Sequence, residues 1–263
     1  MKGRVPMPKF YKVGGIRLCV EESYDFMSIR AASIFVEHLK KKPDGVFGFA
    51  TGSTPTGMYQ ALVALHNKGK ADFSRATTFN LDEYYPIAAD NPQNYRNFME
   101  KSLFNHVNLD KSKINLLNGA ADDALLECKS YEDRIRIAGG IDLQILGIGT
   151  NGHIAFNEPD DHFSGATRLV DISENTINDN ARFFGSRELV PTQALSMGIR
   201  SIMMAQSILL IASGENKARV IADMFLGHVT PRLPASILQF HRDVVVVLDK
   251  AAASDVSMML GYY

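Results

Sequence analysis

Six short apolar runs punctuate the chain, and they show little of the polar–apolar alternation of a strand with one wet face. They are Val46 to Ala50, Ala76 to Asn80, Ile114 to Leu117, Ile141 to Ile148, Ser207 to Ala212 and Val244 to Leu248. A strand that is apolar throughout is covered on both faces. Segments of helical spacing lie between the runs. Met58, Leu62 and Leu65 follow the first, with Tyr59 and Val63 beside them, and Ala121, Leu125, Cys128, Tyr131 and Ile135 form a stripe that ends at Gly139-Gly140. The alternation predicts an α/β fold: a single-domain, open, mostly parallel sheet with helices on both faces, Rossmann-like in layout. The whole chain, 1–263, reads as one domain, with residues 1–15 as an N-terminal extension. The stripe places Cys128 in the core, where nothing nearby activates its thiol.

Composition narrows the partners. Lys plus Arg total 28 against 29 for Asp plus Glu, so the basic excess that nucleic-acid binding needs is missing and no nucleic-acid partner is expected. The longest apolar run, Ser201 to Ile211, is interrupted by Gln206 and Ser207, and no membrane span is expected. The first twelve residues carry Lys2, Arg4, Lys9 and Lys12 but no apolar core of signal-peptide length. The two cysteines, Cys19 and Cys128, are far apart and in no metal-ligand spacing. A cytoplasmic protein without a disulfide scaffold is expected.

Ligands of open parallel sheets sit beyond the carboxyl ends of the strands, here the turns after Ala50, Asn80, Ile148 and Ala212. The first, Thr51-Gly52-Ser53-Thr54-Pro55, offers hydroxyls and backbone N–H groups ahead of a helix. It suits either a bound phosphate or an ordinary helix cap, and it lacks the Gly-Lys-Ser/Thr ending of a nucleotide P-loop. The second carries the adjacent carboxylates Asp82 and Glu83. They read either as solvated groups at a helix start or as a pocket holding one carbon base, with Glu83 expected to tolerate change better than Asp82. The third runs from Gly147 through Gly149, Asn151, Gly152 and His153 to Glu158-Pro159. Its GxGxxG spacing lacks the acidic residue at the end of a following strand that a dinucleotide site wants. His153 fits a capping role or proton transfer supported by Glu158. The fourth places Lys217 at a helix start, which the helix dipole disfavours unless an anion is bound there.

Together the segments Ala50-Thr51-Gly52-Ser53-Thr54-Pro55, Asn80-Leu81-Asp82-Glu83-Tyr84 and Asn151-Gly152-His153-Ile154-Ala155-Phe156-Asn157-Glu158-Pro159 resemble the signature segments of the glucosamine-6-phosphate deaminase family. The likeness continues through Thr167-Arg168, Ala181-Arg182-Phe183-Phe184, Gly214 to Lys217 and Leu233-Pro234-Ala235-Ser236, over roughly residues 16 to 250. It implies a role in amino sugar metabolism, with a small-molecule amino sugar phosphate as partner and no metal or organic cofactor. It implies Asp82 as the base that enolises the open sugar, His153 as the group that opens the ring, and Asn151 and Glu158 as its supports. Thr51, Gly52, Ser53, Thr54, Arg182 and Lys217 would bind the substrate phosphate, Arg182 from a segment that forms part of a lid. Position 151 is Asn where some members carry Asp, which leaves negative charge to Glu158.

In the longer, regulated members basic residues after the catalytic loop bind an N-acetylated activator. Here Ala166 and Val170 stand where basic residues are usual, Asp171 stands where a hydroxyl is usual, and only Arg168 is kept. The short segment after Asp249 resembles the compact members. A galactosamine 6-phosphate deaminase remains an alternative. So does a non-catalytic sugar-phosphate sensor, although no DNA-binding helix-turn-helix is present. The resemblance leaves a homo-oligomer open.

Overall fold

A computed structural model describes residues 9–261. In chain order the first half forms β1 (Phe10–Val13), β2 (Ile16–Glu21), α1 (Tyr24–Lys41), β3 (Val46–Phe49), α2 (Thr56–Asn67), β4 (Thr77–Asn80), β5 (Asp82–Tyr85), α3 (Tyr95–Ser102), β6 (Ile114–Asn115) and α4 (Ala124–Ile137). The second forms β7 (Leu143–Leu146), β8 (Arg168–Asp171), α5 (Glu174–Phe184), β9 (Gln193–Ser196), α6 (Ile199–Met203), β10 (Ser207–Ala212), α7 (Ala218–Leu226), β11 (Val244–Asp249) and α8 (Ser254–Leu260).

All six apolar runs are strands of one sheet, ordered β1-β2-β11-β10-β7-β3-β4-β6 and parallel except for β1. Every residue of β3, β7 and β11 is buried, as expected of strands covered on both sides. α1 packs on β2, β10, β11 and α2. It starts where Ser23 accepts a hydrogen bond from the Phe26 N–H and ends among His38, Lys40 and Lys41, which suit its negative terminus. From it Phe35 reaches Phe47 and Phe49, with ring centroids 4.9 and 5.5 Å away. Burying such a side chain is worth about 1.5–3 kcal/mol, so this aromatic cluster pins α1 to β3.

After β3 the chain builds outward through β4 and β6; after β7 it builds the other way through β10 and β11. The order therefore reverses between β3 and β7, and the crevice beyond their carboxyl ends is where such a sheet takes a ligand.

Three features depart from the sequence reading. The stripe expected from Ala121 starts at Ala124, because Asp123 caps the helix through the Leu125 and Leu126 N–H groups. Cys128 and Tyr131 are buried as expected, but Leu125 faces solvent. Residues 10–13, assigned to an N-terminal extension, form the β1 edge strand paired with β2, while residues 1–8, with Lys2 and Arg4, lie outside the described residues. A second, antiparallel sheet of β5, β9 and β8 begins one residue after β4, so Asp82 and Glu83 stand on a strand and not at a helix start.

Candidate active site

All four strand ends meet in one cleft of about 210 Å³, beside the β3–β7 reversal. Thr51, Gly52, Ser53 and Thr54 line it from β3, Asp82 from the end of β4, Gly149 and His153 from β7, and Lys217 from β10. Arg182 enters from α5, so eight of the ten expected site residues line the cleft: Thr51, Gly52, Ser53, Thr54, Asp82, His153, Arg182 and Lys217. Asn151 and Glu158 stand behind His153.

The first turn is no helix cap. Pro55 occupies the N-cap of α2 and no side chain caps that helix. Tyr24 fixes the turn instead, donating from its hydroxyl to the Ser53 carbonyl at 3.1 Å and accepting from the Gly57 N–H at 2.8 Å. Lys217 is the N-cap of α7. Its loop is held by the buried Asp249, which accepts hydrogen bonds from the Ser213 hydroxyl and the Gly214 N–H. Lys217 and Arg182 supply positive charge and the Thr51–Thr54 turn supplies neutral donors, a set suited to a phosphate.

Two glycines explain the third turn without any nucleotide. Gly149 accommodates the His153 ring against its backbone, and Gly152 sits at φ +87° with the Leu233 side chain 2.2 Å from where a Cβ would be. His153 is then supported from behind. Its ring Nδ1 lies 3.4 Å from Glu158 Oε2, and its backbone N–H donates to Asn151 Oδ1 at 3.2 Å. Asn151 Nδ2 donates to the same Glu158 Oε2 at 2.6 Å, and Thr176 Oγ1 donates to Glu158 Oε1 at 2.6 Å. Burial pushes the Glu158 carboxyl up, but His153 and the hydrogen bonds from Thr176 and Asn151 outweigh it and bring it down to about 2. An ionised carboxylate thus faces the imidazole at all ordinary pH.

Asp82 is the opposite case. It is buried, and desolvation followed by the charge of Glu83 raises it to about 8. A carboxylate so raised is a stronger base than an exposed one. Glu83, expected to tolerate change better than Asp82, is not the solvated carboxylate of the helix-start reading. It is buried, and its carboxylate accepts from the N–H groups of Tyr84 and Tyr95 at 2.9 Å and of Arg96 at 3.3 Å, anchoring the start of α3.

Residues 25–247 match the family of glucosamine-6-phosphate isomerases and 6-phosphogluconolactonase. The chain belongs to that family. A glucosamine-6-phosphate deaminase of Clostridium botulinum (strain Hall) is 51% identical over 243 residues, covering 92% of this chain and 100% of its own. One from Alkaliphilus oremlandii is 53% identical over 235 residues, covering 89% and 98%. Among solved structures, a monomeric glucosamine-6-phosphate deaminase is 41% identical with a TM-score of 0.88, over 91% of this chain and 99% of that one. A 6-phosphogluconolactonase from Trypanosoma cruzi, 18% identical over 91% of this chain and 96% of its own with a TM-score of 0.73, shares the fold.

Tyr95, Thr176 and Asn180 also line the cleft and were not singled out from the sequence. A Thr or Asn inside an amphipathic helix carries no signal of its own. Among the described residues no group of three or more His, Cys, Asp or Glu side chains is placed to hold a metal ion.

Proposed function

We propose that this protein is a glucosamine-6-phosphate deaminase, converting glucosamine 6-phosphate and water to fructose 6-phosphate and ammonia. The observation that carries this reading is the meeting of Asp82 and His153 in one cleft with the hydroxyl turn, Arg182 and Lys217. The phosphate is held by Thr51, Gly52, Ser53, Thr54, Arg182 and Lys217, which places the reacting end of the sugar between the two proton-transfer groups.

His153 moves the anomeric hydroxyl proton to the ring oxygen and opens the pyranose, while Glu158 stabilises the imidazolium and Asn151 fixes its geometry. Asp82 takes the C2 proton, giving an enolamine, and returns it to C1. The resulting imine at C2 adds water to form a carbinolamine, which expels ammonia and leaves the ketose. A substrate ammonium beside Asp82 favours its ionised form as the complex forms.

All these groups come from one chain, so a monomer suffices, in keeping with the monomeric relative of known structure. Among the described residues no helix is long and apolar enough to cross a membrane, and the proposed compartment is the cytoplasm.

The test is to supply purified protein with glucosamine 6-phosphate and, separately, galactosamine 6-phosphate, and to measure ammonia and ketose phosphate. Fructose 6-phosphate and ammonia in equal amounts from the first are expected. Turnover of the galacto epimer alone would replace the substrate, and turnover of neither would leave a sensor.

A further inference from the structure

We propose that Thr176 is a positioning residue of the reaction, orienting the Glu158 carboxylate toward His153 and joining that carboxylate to the helix that carries Arg182. This rests on the deaminase reading above. Glu158 sits on a loop, and a glutamate side chain left to itself samples many rotamers. Here the carboxylate is held at both oxygens. Oε2 accepts from Asn151 and faces His153, while Oε1 accepts from Thr176 Oγ1 at 2.6 Å. Two attachments fix the plane of the carboxylate as well as its position.

Thr176 stands in the first turn of α5, with no helical turn before it to supply a carbonyl for its hydroxyl. The Thr176 hydroxyl instead reaches a carboxylate on another segment. The hydroxyl of Ser173, the N-cap of α5, donates to Thr176 Oγ1 at 3.1 Å and accepts from the Thr176 N–H at 3.3 Å. An ionised carboxylate can only accept, so the single Thr176 Oγ1 proton is committed to Glu158. Thr176 is buried at the cleft wall.

Arg182 lies six residues further along α5, about 9 Å at helical rise, and it lines the same cleft with Asn180 and Phe183. One rigid element thus carries a phosphate ligand at one end and the clamp on the acid–base pair at the other. When α5 is seated with Arg182 toward the phosphate, the same seating presents Thr176 to Glu158. The His153–Glu158 pair is thereby assembled together with the phosphate site.

The test compares Thr176→Val, which keeps the shape and removes the hydroxyl, with Thr176→Ser, which keeps the hydroxyl. Losing a hydrogen bond to a charged group should lower kcat by about tenfold or more in Thr176→Val, with KM and competitive inhibition by inorganic phosphate within about twofold of wild type. Thr176→Ser should recover kcat to within about threefold. Three results overturn the proposal: full turnover by Thr176→Val, equal damage in both variants, or loss of phosphate inhibition in parallel with kcat, which would show a displaced helix. A wild-type protein without deaminase activity would remove the functional reading and this proposal with it. An active wild type with an equally active Thr176→Val removes the proposal alone.

Discussion

The His153 imidazole lies where a side chain at Gly149 would have to go: a Cβ there would be 2.3 Å from His153 Cε1 and 2.5 Å from both ring nitrogens. The same glycine donates its N–H to the His153 carbonyl at 2.9 Å, so position 149 fixes both the backbone and the ring of the histidine. Gly149→Ala is therefore expected to displace the imidazole. Overpacking of this kind costs about 1–3 kcal/mol, so the melting temperature should drop by several degrees while the fold survives. Turnover should fall by about tenfold or more, since misplacing a proton-transfer group by 1 Å costs that or worse. Steady-state kinetics alongside a calorimetric melt checks both. An unchanged kcat would mean that His153 need not stay where it is.

Asp82→Asn keeps size and removes the base. A fall in kcat of about a hundredfold or more is expected, with KM largely kept and with solvent-deuterium incorporation at C1 of the product falling in step. In the wild type, kcat/KM should rise with pH up to about 8, where the Asp82 carboxyl of the free protein ionises.

The same variant has a consequence for stability. The folded-state value of Asp82 is raised, so between its ordinary value and about 8 the folded protein holds a proton that the unfolded chain releases. Wild-type stability therefore declines as pH rises through that window, and the loss is complete above it. Asp82→Asn removes this decline. Its gain in melting temperature over wild type should be small near pH 5 and largest above pH 8. Glu83, pushed up to about 7 by burial, adds a drift of the same sign to both proteins, so their difference reads Asp82 together with its repulsion from Glu83. A gain that is flat with pH would place the Asp82 carboxyl in water.

Six of the eight strands of the main sheet were legible because they lie in nearly continuous apolar runs, whereas β1 and β2 carry alternating patterns and were not read. Ser207–Ala212 coincides with its apolar run, Val244–Asp249 extends one residue beyond its run, and the other four runs lose end residues. The small sheet was not legible. Asp82–Tyr85 carries two carboxylates and two tyrosines, and its partner β9 is remote in sequence, so neither composition nor local pattern marks a strand. The same remoteness hid the roles of Glu83, whose N–H donors in α3 begin twelve residues on, and of Thr176, whose partner lies eighteen residues back. Site residues in glycine-rich and hydroxyl-rich strand ends announce themselves by residue type. Groups that act by reaching another segment do not.

The phosphate anchors differ in exposure, and their variants should differ accordingly. Lys217 is half-buried at the head of α7, whereas Arg182 is exposed and stacks on the Phe183 ring at 4.8 Å. A charge-assisted hydrogen bond is worth about 1.5–3 kcal/mol, so Lys217→Ala should raise KM toward a hundredfold and Arg182→Ala nearer tenfold, the exposed pair being screened by water. Glucosamine without its phosphate should be a very poor substrate, and inorganic phosphate should compete with the substrate. Comparable turnover of the unphosphorylated sugar would reduce the Thr51–Thr54 turn to a structural bend.

Regulation can be judged at Arg168, the one basic residue kept where the regulated enzymes resembled here bind their N-acetylated activator. Its Nη1 donates to Asn157 Oδ1 at 2.8 Å, and the space around it, between Asp160, His162, Ser164 and Pro231, is about 10 Å³. A cavity of that size barely holds one water, and a sugar phosphate is many times larger. The surrounding charges are committed or adverse. Asp161 pairs with Arg232, Asp171 accepts from Gln193 Nε2 at 2.9 Å, and Asp160 stands 3.5 Å from His162. An incoming dianion would meet carboxylates before it met a guanidinium already engaged. Hyperbolic kinetics in glucosamine 6-phosphate are therefore expected, unchanged by its N-acetyl derivative. Sigmoidal curves that turn hyperbolic when that compound is added would contradict this, and would require Arg168 to leave Asn157 and the Asp160 loop to open around the ligand.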